Sequence, residues 1–116
     1  VGKTFLYSSK FGPAIFAGYL IKFEIDEKLI IPQYLLIYTK SPYFKKWITS
    51  NMRISAQPNI NCKQYLEAPI IVPDMKTQEQ IVEYAERMRT KKMALKKEAE
   101  QLRINAINSF NQIIFG

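Results

Sequence analysis

The residues best suited to chemistry in this chain lie in one polar stretch, 51–63, which reads Asn-Met-Arg-Ile-Ser-Ala-Gln-Pro-Asn-Ile-Asn-Cys-Lys. Arg53, Gln57, Asn59 and Asn61 are side chains that make paired hydrogen bonds, and on a duplex those pairs fit the guanine and adenine edges of the major groove. Ser9, Lys10, Lys45, Lys46 and Lys63 are of the kind that touch phosphate oxygens and position a protein on a backbone. Taken singly, Asn, Gln and Ser most often populate polar turns. As a group on a basic chain they point to nucleic acid.

Bond-making chemistry has little to work with. The chain has no histidine, which removes the usual general base, the commonest metal ligand and every Ser-His or Cys-His pair. Cys62 is the single cysteine, so no internal disulfide forms and no zinc cluster can be assembled; it reads as a plain structural thiol. Four scattered glycines build no phosphate loop. Asp26-Glu27-Lys28 and Asp74-Met75-Lys76 are Asp-x-Lys-like triplets, but a nuclease needs several carboxylates converging on a metal, and a solvated turn before a helix accounts for both. Ser41-Pro42-Tyr43 lacks the first amide and second proline of the Asn-Pro-Pro-Tyr segment used by DNA amino-methyltransferases. No metal, no cofactor and no catalytic group are expected. The chain reads as something that binds.

The frame for these residues is small. The 116 residues are 47% hydrophobic and 13% aromatic, with 17 Lys and Arg against 10 Asp and Glu, a net charge of +7. Residues 1–76 hold ten of the basic and five of the acidic side chains, so the excess sits mainly there. Such an excess favours polyanions, nucleic acid first and anionic membrane second. The longest apolar run, Ala14 to Ile21, is too short to span a bilayer, and no signal-peptide pattern precedes it. A reducing, cytoplasmic setting without membrane association is expected. The opening at Val1, in a stretch that reads as strand, suggests a piece of a longer protein.

Pattern along the chain predicts an α+β fold: a small mixed β/α globular domain over 1–76, followed by a long C-terminal coiled-coil helix over 77–114. Residues 4–8 and 14–25 are rich in aromatic and β-branched types, with alternation clearest from Leu20 to Ile25, and read as strands. Asp26-Glu27-Lys28 reads as a turn. Pro32 opens a helix to about Lys40, and Ser41 caps a second helix with Pro42 at its first position. That second helix shows an apolar face of Tyr43, Phe44, Trp47 and Ile48, with Lys45 and Lys46 opposite. Residues 51–63 read as exposed loop, Ala68 to Val72 as a short strand closed by Pro73. Thr77 with Gln80 suggests a capping box for the long helix, which is expected to end at Ile113 or Ile114.

The long helix carries a seven-residue beat: Ile81, Met88, Leu95 and Leu102, with Ala85, Lys92, Ala99 and Ala106 between them. Alternating spacings of four and three describe an a/d seam that packs on a partner helix. Small alanines permit close approach, and Lys92 is the sort of polar exception that sets register. Nothing else in the chain is long enough to be the partner, so the seam points to a second chain or to sequence outside these residues. An amphipathic helix folded on its own body is the alternative.

The order of these features resembles a family. Ile31-Pro32-Gln33-Tyr34-Leu35, Lys40-Ser41-Pro42-Tyr43-Phe44, the run from Ser55 to Leu66, Pro69-Ile70-Ile71-Val72-Pro73 and Gln80-Ile81-Val82 together resemble the specificity subunit of type I restriction-modification systems. The resemblance covers about residues 14–113: the later part of one target-recognition domain, then one spacer helix. It implies double-stranded DNA as ligand and one half of a split site read by each globular domain. It also implies a gap set by antiparallel helices, and docking of the DNA methyltransferase (modification) and restriction subunits that perform the chemistry. Either self-association or a second spacer helix would complete the coil. The rival from another class is a coiled-coil interaction module whose DNA binding is weak, salt-sensitive and without sequence preference. A fragment of a restriction-methylation fusion enzyme would need catalytic motifs before Val1.

Overall fold

A computed structural model of the chain describes residues 2–8, 12, 20–52 and 59–116. Among the described residues there are four helices: α1 (Pro32–Thr39), α2 (Pro42–Asn51), α3 (Cys62–Leu66) and α4 (Met75–Phe115). The chain divides into a body, Val1–Val82, and an arm, Glu83–Gly116.

The starts of α1 and α2 follow from local chemistry. A proline stands in the first turn of each, where a missing amide proton costs nothing. The Ser41 hydroxyl accepts from the Phe44 amide at 3.2 Å, capping α2. The two helices pack together around a core of Tyr34, Tyr38, Phe44, Ile48 and Ile60, with Trp47, Met52, Tyr65, Ile81 and Val82 packed partly against it. Aromatic rings run through this core in sequence. Tyr38 meets Phe44 edge-on at 5.9 Å between centroids, Phe44 stacks on Trp47 at 5.6 Å, and Trp47 leads to Tyr65 and Tyr65 to Phe23 at 6.1 and 5.7 Å. Each such pair adds about 0.5–1.5 kcal/mol beyond the area it buries.

The expectation of an α+β fold is overturned: among the described residues there is no strand and no sheet. Residues 4–8, 20–25 and 68–72 do not take strand form, while 14–19 lie outside the described residues. Alternation reports a half-buried surface, but a strand also needs a neighbour whose backbone completes its ladder. Here other groups serve the backbone. The Tyr34 hydroxyl donates to the Ile71 carbonyl at 2.5 Å and the Tyr38 hydroxyl to the Pro69 carbonyl at 3.0 Å. Four residues of helix advance about 6 Å and two residues of open chain about 6.6 Å, so two tyrosines on one face of α1 match two alternate carbonyls. Residues 68–72 thus lie along a helix instead of a sheet.

Two helices also differ from expectation. α4 begins at Met75, not after Thr77, and ends at Phe115. Asp74 precedes it, the Gln78 amide donates to the Asp74 carbonyl at 3.0 Å, and the Thr77 hydroxyl donates to the Asp74 carboxylate. The second difference is α3, within and just after the stretch expected to be loop. Its signature is an Asn61/Gln64 capping box: Asn61 Oδ1 accepts from the Gln64 amide at 2.9 Å, and Gln64 Oε1 accepts from the Asn61 amide at 3.0 Å.

The deepest polar side chain of the body is Gln78, fully buried on the first turn of α4. Its Oε1 accepts from the Ile31 amide at 2.8 Å, and its Nε2 donates to the Leu29 and Pro73 carbonyls at 3.0 and 2.8 Å. Every hydrogen-bonding site that a buried carboxamide must fill is filled by backbone, which ties the entry to α1 to the entry to α4.

Candidate nucleic-acid interface

Described residues on either side of 53–58 are joined by a hydrogen bond. Gln64 Nε2 donates to the Asn51 carbonyl at 3.2 Å, joining the start of α3 to the end of α2. Ile60 is buried in the core beside this junction, and Asn59 is exposed. Asn61 commits its side-chain oxygen to the α3 cap, although the residue itself is exposed. Arg53 and Gln57 lie outside the described residues, as do Ser9 and Lys10.

Of the candidate phosphate contacts, Lys45, Lys46 and Lys63 are all exposed. Lys45 belongs to a surface hollow that sequence reasoning missed. Gly2, Lys3, Thr4, Thr39, Lys40, Lys45, Ile48 and Thr49 line it: three ammonium groups, three hydroxyls and no carboxylate. Its rim forms because the first residues of the chain lie on α1 and α2. The Thr4 and Thr39 hydroxyls are 2.6 Å apart, and Thr39 also donates to the Leu36 carbonyl at 2.8 Å, so Thr4 is the donor to Thr39. Gly2 sits at φ +77, and a Cβ there would come within 3.0 Å of the Ile48 side chain. Burial pushes the Tyr65 phenol up from its ordinary pKa, opposed by a backbone hydrogen bond from Gly2. Lys3 and Lys40 were unreadable as partners of Lys45 because the fold that brings them together is not local.

α2 connects the two features. Lys45 faces the hollow and Asn51 holds the base of the polar stretch, six residues apart on one helix or about 9 Å. That is shorter than the roughly 12 Å width of a major groove.

The family model described as the type I restriction modification DNA specificity domain matches residues 1–106. The chain belongs to this family. No curated protein and no solved structure matches it. The specificity domain gives the chain a part in DNA recognition within a restriction-modification system, and with it DNA and restriction-modification subunits as the general classes of partner. Among the described residues of this specificity domain no cluster of His, Cys, Asp or Glu could hold a metal, and no helix is long and apolar enough to cross a membrane. Asp26 of the first Asp-x-Lys-like triplet is a turn residue: its carboxylate accepts from the Lys28 amide at 2.9 Å.

The seam residues divide between the two units. Ile81 is half-buried and packs on the body's core. In the arm, Ala85 is half-buried, whereas Met88, Lys92, Leu95, Ala99, Leu102 and Ala106 are exposed.

Proposed function

We propose that this specificity domain reads one half of an interrupted double-stranded DNA site. Lys3, Lys40 and Lys45 hold backbone phosphates in their acid-free hollow, with Lys10, Lys46 and Lys63 as outlying contacts. The 51–63 segment, with Arg53, Gln57 and Asn59 foremost, reaches base edges. The arm pairs with a second helix and fixes half-site separation, and the assembly docks modification and restriction subunits that supply the chemistry. The domain itself carries out no bond-making step, and it works in the cytoplasm with its DNA. The observation that carries this reading is α2, which places Lys45 of the basic hollow and Asn51 at the base of the polar stretch on one rigid element.

The test is selection of duplex DNA by the full chain with its modification subunit at near-physiological salt. A defined motif is expected. Gln57→Ala with Asn59→Ala should relax it while nonspecific binding persists. Lys3→Ala, Lys40→Ala and Lys45→Ala together should weaken binding to all sequences and flatten the dependence on salt by about one phosphate per lysine. Recovery of no motif with the partner present would favour an interaction module instead.

A further inference from the structure

Lys3 differs from the other two cations of the basic hollow. Lys40 directly follows α1 and Lys45 lies within α2, so helical backbone places both. Lys3 stands in a segment, 2–8, that takes neither helix nor strand form. A lysine on open chain reaches a phosphate only by giving up backbone and side-chain freedom, which subtracts from binding. Contacts on the residues that flank Lys3 give up much of that freedom in advance.

Three such contacts are present, one to each of three helices. The Thr4 hydroxyl donates to the Thr39 hydroxyl at the end of α1. Gly2 lies against the Ile48 side chain of α2, at φ +77 and with no room for a Cβ. Tyr65 of α3 accepts a hydrogen bond from the Gly2 backbone. Lys3 thus sits between two pinned neighbours. Of the two contacts at Gly2, packing on Ile48 lets the strap turn in place, whereas a hydrogen bond fixes the direction of the Gly2 backbone. The Tyr65 ring is itself held firmly. It lies 6.1 Å from Trp47 and meets Phe23 edge-on at 5.7 Å, and the preceding residue, Gln64, ties α3 to the end of α2.

We propose that Tyr65 is a positioning residue for DNA binding: its phenol oxygen orients the 2–4 strap and so presents the Lys3 ammonium to a backbone phosphate beside Lys40 and Lys45. Tyr65 acts through Gly2 and not on the DNA. The gain is in affinity for every duplex, because a phosphate contact carries no base information. The inference rests on the reading of the hollow as a phosphate site and names the residue that sets its geometry.

A double-mutant cycle on the full chain with its modification subunit tests it, read as dissociation constants for two duplexes of unrelated sequence at near-physiological salt. Tyr65→Phe keeps both ring contacts and removes the acceptor. It should weaken both duplexes alike, by about three- to tenfold. Lys3→Ala should weaken them too, and the two changes together should cost little more than the larger one alone, since both remove the same phosphate contact. Gly2→Ala, strained by its φ and crowded against Ile48, should give a similar loss and the same lack of additivity with Lys3→Ala; it decides the matter if Tyr65→Phe unfolds the body. Losses that add, or full binding by Tyr65→Phe beside weakened binding by Lys3→Ala, would overturn the inference and leave the hollow as a phosphate site. Full binding by Lys3→Ala would remove Lys3 from the hollow's work and the inference with it. No binding of either duplex by the native complex would overturn the nucleic-acid reading itself.

Discussion

Body and arm both carry apolar side chains at regular spacing and dispose of them differently. In the body, Tyr34, Tyr38, Phe44, Ile48 and Ile60 are buried against one another. In the arm, Met88, Leu95 and Leu102 remain 43%, 56% and 63% exposed. The body also closes its backbone with side chains, Gln78 and the two tyrosines serving carbonyls and amides far away in sequence. The arm is a single helix that satisfies its backbone internally, and its seam side chains from Met88 onward are exposed. Periodicity alone does not tell these situations apart. What separates them is whether side chains from elsewhere in the chain reach the same face.

The comparison breaks most sharply at Gln78. Gln78→Leu should strand the Ile31 amide and the Leu29 and Pro73 carbonyls in a buried site, at about 3–5 kcal/mol, a large fraction of a small domain's stability. Chemical denaturation followed by tryptophan fluorescence from Trp47 measures this. Gln78→Glu should not rescue it, because a carboxylate cannot donate to two carbonyls. Leu95→Asp is the reciprocal case: the denaturation midpoint of the body should be unchanged, while association of the full chain through the arm, read by sedimentation equilibrium, is lost. A drop in the body's stability would show that the arm is not a separate unit.

Smaller effects sharpen the same contrast. Tyr38→Phe keeps the ring contacts and removes one bond to the Pro69 carbonyl, for a loss of about 1 kcal/mol in the same denaturation. Alkaline pH should act on the body through two phenols. Burial, with a smaller contribution from Tyr38, holds the Tyr34 phenol above its ordinary pKa, and burial does the same for Tyr65. A raised phenol pKa means the unfolded chain gives up its proton first. The contribution of these two phenols is therefore fully present below pH ~10 and is lost as pH rises through the folded values. A late step in tyrosinate absorbance should coincide with loss of the Trp47 signal. The arm's ion pairs are solvent-exposed, and helicity of the arm should change little when Glu100→Gln removes the partner of Arg103.

What was legible in the sequence was local. Pro32, Ser41 and Pro42 mark their helices because a missing amide proton and a capping hydroxyl act within one turn, and the α2 face of Phe44, Trp47 and Ile48 follows from spacing alone. The strands were misread because alternation in 20–25 and 68–72 says nothing about whether a neighbour exists, and the tyrosines that served the second segment lie about thirty residues earlier. Gln78 was hidden for a related reason: its partners are backbone groups, which every residue shares and no letter records. α3 was available, since Asn61 and Gln64 have capping-box spacing, but Asn61 was read for what its amide could do to a base. Of the candidate site, Lys45 was visible as a basic residue opposite an apolar face. Its grouping with Lys3 and Lys40 needed the fold.

The bond between Gln64 and the Asn51 carbonyl has a consequence for descent. It closes the polar stretch from outside, through residues that are not themselves among 53–58, while Ile60 keeps its place in the core. Substitutions within those six positions leave both partners of that bond in the sequence. On the proposed reading of 53–58, a lineage that acquires new targets by changing those positions still encodes the clasp between the end of α2 and α3.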